Sequence, residues 1–102
     1  MTYMLPIIDE LAACVTDAER AEWLLRAPDG IIVRDVESIR AVLLVAGFRF
    51  GADALDVRYA ALYATRTKGG DLPASTRENL EIHRSGLRAI AQEQGDSIGE
   101  TH

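Results

Sequence analysis

The sequence predicts an all-α fold: a compact single domain of about five helices with a helix-corner-helix at its centre. Three observations carry that prediction. Apolar residues recur at spacings of three and four along most of the chain. Capping-box patterns at Thr16/Glu19 and Ser75/Glu78 mark two helix starts. Strand signals are confined to one short β-branched run, "IIVR" at 31–34, with no convincing partner strand. A chain of 102 residues, 48% hydrophobic and 26% charged, suits one packed core.

Each element follows from local signals. Pro6 fits a first helical position, and Ile7 or Ile8, Leu11 and Val15 define a short helix over about 6–15. The Thr16 box opens a second helix to about residue 27, with Ala21, Leu24 and Leu25 inward and Trp23 beside them. "APDG" at 27–30 reads as a turn, and 31–34 as a segment of extended character. Asp35 is expected to cap a third helix over about 36–46, which Gly47 stops. A fourth, over about 52–66, is apolar around most of its circumference and therefore central. "TKGGDLPAS" is a loop, and a last helix over about 76–94 carries a seam of Leu80, His83, Leu87 and Ile90. Gly95 is expected to end it, leaving 1–95 as the domain and 96–102 as a flexible tail.

The net charge is −5, but the middle of the chain is mildly basic: residues 31–70 sum to +2 between flanks of −4 and −3. That is far from the marked basic field of a general nucleic-acid binder. "MTYMLPIIDEL" has no positively charged leader region, and no run approaches the roughly 20 apolar residues that span a bilayer. The lone Cys14 sits in an apolar stripe and reads as an inert thiol. A cytoplasmic protein without membrane contact is expected.

The catalytic inventory is thin. His83 has no orienting carboxylate on its own helix face, and His102 is the last residue, so no enzyme is predicted. Asp53/Asp56 and Glu78/Glu81 are carboxylate pairs at i, i+3, but they lack the Glu-x-x-His companions of bundle metal sites and suit exposed helix starts instead. "KGG" at 68–70 inverts the order of a phosphate-binding loop. Neither a metal nor a cofactor is expected. Residues 41–62 have the outline of a helix-turn-helix, yet Asp53 and Asp56 stand where phosphates would be met. Direct reading of DNA would need a contiguous surface of Arg34, Arg40, Arg49, Arg58 and Arg66. It is the secondary expectation.

The primary expectation is protein binding through an apolar groove at the helix ends. Its candidate residues are Ile31, Ile32, Phe50 and Tyr63, flanked by Arg34 and Arg66. The 80–90 seam could in addition pair two copies of the chain.

The strings "ERAEWLLRAPDG" (19–30), "IRAVLLVAGF" (39–48) and "ALDVRYAAL" (54–62) resemble a bacterial family. These are the small antiactivators of quorum-sensing-controlled transfer in rhizobial integrative and conjugative elements. The resemblance covers the middle half of the chain and assigns no individual residue a role. It implies a regulator of a mobile genetic element that binds a transcriptional activator and inhibits it.

Overall fold

The computed structural model describes residues 6–64 and 69–100. Among these residues there are five α-helices and no strand: α1 (Pro6–Ala13), α2 (Asp17–Arg26), α3 (Asp29–Val45), α4 (Arg49–Leu62) and α5 (Ala74–Glu100). The expected all-α domain with a central helix-corner-helix is therefore present. The α2 and α4 helices both pack on α5, and α3 packs along α4.

The α1–α2 corner forms as its sequence dictates. The Thr16 hydroxyl accepts from the Glu19 amide at 3.2 Å. The Glu19 carboxylate accepts in return from the amides of Val15 (2.7 Å) and Thr16 (3.3 Å). Those two backbone donors, Val15 first, hold the Glu19 carboxyl below its ordinary value. Arg20 closes the same corner, donating to the carbonyls of Cys14 (3.0 Å) and Val15 (3.2 Å) and to Asp17 (2.7 Å). Helix α1 stops at Ala13, so Val15, expected to face inward, is exposed. Trp23 is 1% exposed, and its Nε1–H donates to the Ile7 carbonyl at 2.8 Å. That bond ties α1 to α2.

Residues 31–34 are helical, not extended. The turn is only Ala27–Pro28, both in the β region, and α3 begins at Asp29, whose carboxylate complements the helix dipole. Burial overrides the β-branched preference, because the helical turn places Ile32 at 0% exposure in the core. Asp35 is a kink inside α3 (φ −117°, ψ 24°) and not its N-cap. Its carboxylate accepts from Arg34 at 2.8 and 3.0 Å. The signal expected to start a helix instead bends one.

Gly47 does stop α3. With φ at +81° it lets the Phe48 amide reach the Leu43 carbonyl (2.9 Å) and its own amide reach Leu44 (3.0 Å). These are the paired bonds of a Schellman ending. Helix α4 starts three residues earlier than expected, at Arg49. Gly51 makes this possible, since a Cβ there would overlap the Phe48 ring.

Helix α5 starts at Ala74, with the Arg77 amide bonded to the Pro73 carbonyl at 3.0 Å. Ser75 thus lies inside the helix, and the second capping box is not its start: Pro73, with no amide of its own, sets the boundary. The helix also continues through Gly95 to Glu100. One glycine costs an established helix only about 1 kcal/mol, and Gly95 does not end this one.

The core is one cluster from all five helices, with Leu11, Trp23, Ile32, Ile39, Leu43 and Leu55 its most completely buried large side chains. Among the described residues no buried side-chain nitrogen or oxygen lacks a hydrogen-bond partner.

Candidate functional site

The α2, α4 and α5 helices do not close completely on one another. Between them lies a half-open cavity of about 200 Å³. Its wall is apolar: Leu24 and Leu25 from α2, Ile32 from α3, Leu55 from α4, and Leu80 and Leu87 from α5. Leu24, Ile32, Leu55 and Leu87 belong to the buried core, so the wall is fixed by the same packing that holds the domain together. The polar lining is Arg58, His83 and Arg84, and among the described residues no carboxylate lines the cavity. A protein of net charge −5 thus presents a cationic mouth over an apolar floor.

These three polar residues differ in how far their donors are committed. Arg58 donates to the carbonyls of Leu24 (2.9 Å) and Ala27 (2.6 Å) and to Asp29 (2.7 and 3.1 Å). It therefore caps the C-terminus of α2, where helix carbonyls lack intrahelical partners. Arg84 is exposed, and among the described residues only Glu81 comes within ion-pair distance, at 3.7 Å. Glu81 itself accepts from Ser85 (3.0 Å) and Arg88 (3.3 Å), which hold its carboxyl below the ordinary range. Arg84 is thus the cationic group at the mouth whose hydrogen bonds are open to a ligand. The Nδ1 of His83 lies 3.0 Å from the Asn79 carbonyl. Since a carbonyl only accepts, Nδ1 carries a proton and donates it in this bond.

The residues expected to bind a partner are not brought together as one groove. Ile32 is core, and Ile31 is half-buried against it. Phe50 is half-buried with its ring stacked on His83 (centroids 5.4 Å apart, planes 18° apart). It also rests on Gly86, where a Cβ would overlap the ring. Tyr63 is 63% exposed and tilts against Tyr59, while Arg34 is paired with Asp35. Arg66 lies outside the described residues. Of the five that are described, only Ile32 touches the cavity.

The 80–90 seam keeps its periodicity but faces α2 and α4 of its own chain. Leu87 is buried, Ile90 packs against the core, and Leu80 and His83 line the cavity. The periodicity that revealed the seam contains Arg84 too, four residues after Leu80 and three before Leu87. Gly86 had no signal in the sequence, because the ring that fills its notch comes from 36 residues away.

A double-mutant cycle checks that notch. In an open helix, Gly→Ala gains about 1 kcal/mol. Overpacking a filled site costs about 1–3 kcal/mol. Gly86→Ala is therefore expected to be neutral or destabilising in the wild type, yet stabilising by about 1 kcal/mol in a Phe50→Ala background. Urea unfolding of the four proteins measures the coupling, and equal effects in both backgrounds would contradict the packing described.

Of the arginines that a DNA-reading surface would need, Arg34, Arg40 and Arg58 are paired with carboxylates of the same chain. Arg40 bonds Asp56 and Glu37, with Asp56 the main influence holding it protonated. Arg58 and Arg34 are committed as above. Cys14 is half-buried, its thiol donates to the Glu10 carbonyl (3.3 Å), and burial pushes its pKa up. Among the described residues no three potential metal ligands cluster, and no helix is long and apolar enough to cross a membrane. No family model matches this chain, and no curated protein or solved structure shows significant similarity to it.

Proposed function

We propose that this chain is a non-catalytic regulator that binds a partner protein and inhibits it by occupying the partner's amphipathic helix. The observation that supports this reading is the preformed apolar cavity with a cationic mouth on an otherwise acidic protein. One large apolar side chain of a partner helix would fill the cavity, and an acidic residue beside it would meet Arg84. The resemblance noted in the sequence supports a transcriptional activator as the class of partner, in the regulation of a mobile element's transfer. DNA binding is disfavoured, because Arg34, Arg40 and Arg58 are engaged with carboxylates of the same chain.

The test starts from affinity capture in the native host, followed by reconstitution with the purified captured protein. Ile32→Asp would be uninformative, since a charge forced into the core unfolds the domain. Leu80→Asp is the proper variant: Leu80 is half-buried at the cavity wall. It is expected to keep a helical circular dichroism spectrum and to lose the partner. A folded Leu80→Asp that binds the same protein as tightly as wild type would refute the proposal.

A further inference from the structure

The dimensions and polarity of this cavity specify a free ligand as well as a side chain. Its volume of about 200 Å³ lies below the usual drug-sized site of about 300–1,000 Å³. It exceeds the roughly 150 Å³ that suffices for benzene in an apolar cavity. The leucine and isoleucine side chains of the lining carry no polar atom, so a ligand's polar group is best met by Arg58, His83 and Arg84. There the charges are positive. Arg84 offers a planar donor fork, and its one ion-pair partner among the described residues, Glu81 at 3.7 Å, is already held by Ser85 and Arg88. Arg58 adds positive field, but Asp29 and two carbonyls engage its guanidinium.

We infer that the cavity binds a small apolar monocarboxylate, its tail between Leu24, Leu55, Leu80 and Leu87 and its carboxylate accepting from Arg84, and that this ligand competes with the partner's anchor side chain. The competition rests on the proposed partner binding; the ligand site does not. An amine of the same length would meet Arg84 with like charge, and an alcohol would lose the bidentate ion pair. The site therefore discriminates by head group as well as by size.

Hexanoate, hexylamine and hexanol are the probes, titrated into the whole chain and followed by methyl resonances. Hexanoate is expected to shift the methyls of Leu24, Leu55, Leu80 and Leu87. Hexanol should bind about tenfold more weakly and hexylamine more weakly still, as the loss of charge-assisted bonds predicts. Arg84→Glu is expected to weaken hexanoate about tenfold or more, with Arg84→Lys intermediate. Arg84 is exposed, so both variants should fold, which their spectra verify. Equal binding of the three probes, wild-type affinity in Arg84→Glu, or shifts confined to another surface would overturn the site. These readings use the protein alone, so they do not depend on partner capture. A captured partner that requires Leu80 but is not displaced by saturating hexanoate would overturn the competition.

Discussion

Trp23→Ala will destabilise the domain by about 3–5 kcal/mol, the usual cost of deleting a buried aromatic side chain. Two effects combine at this position. The indole is 1% exposed in the middle of the core, so its removal leaves a void that helices on several sides must tolerate. Its Nε1–H also supplies the Ile7 carbonyl, which loses that donor in the variant. Small domains have only about 5–15 kcal/mol in total, so the variant will be partly unfolded or will melt at a much lower temperature. Trp23→Phe separates the effects. It keeps most of the volume and loses the bond, and should cost about 1–2 kcal/mol. Urea unfolding followed by circular dichroism ranks the three proteins. If the alanine variant lost less than the phenylalanine variant, the account of Trp23 as the tie between α1 and α2 would fail.

Arg58→Met comes second, at about 2–3 kcal/mol. Methionine retains an apolar stem against the cavity wall but cannot donate to Leu24, Ala27 or Asp29. The carbonyl bonds are partly buried and account for most of the effect. Asp29 is exposed, and its ion pair adds little in water. Asp29→Ala should consequently cost well under about 1 kcal/mol, and added salt should change wild-type stability little. Arg58→Lys should recover only part of the loss, since one ammonium cannot span three acceptors in a planar fork. Full recovery by lysine would show that charge alone matters at this corner.

Local chemistry made much of the fold legible. The Thr16–Glu19 box and the Gly47 ending involve groups within a few residues of each other, and both are where the sequence puts them. Wherever a remote neighbour decides, local signals mislead. "IIVR" looks extended until Ile32 is given a core to enter, and Asp35 looks like a cap until the preceding turn is helical as well. Ser75 loses its role to Pro73, two residues upstream. The candidate site shows the same division. Periodicity placed Leu80, His83 and Leu87 on one face, and Arg84 shares it. Nothing in the sequence says that α2 and α4 of the same chain meet that face. Nor does anything show that Phe50 lies on α5, because exposure is a property of the assembled helices.

The two arginine-closed corners differ in the length of chain that must be gathered to make them. At the first corner, Arg20 reaches carbonyls five and six residues away. At the second, Arg58 reaches back 31 and 34 residues. Loop-closure entropy rises with the number of residues enclosed, and only a docked α4 delivers the second guanidinium. The first joint is therefore intrinsic to its own segment, and the second exists only while the fourth helix is seated. Because Arg58 also lines the cavity, displacing α4 would remove the cap of the α2–α3 corner and part of the cavity wall together.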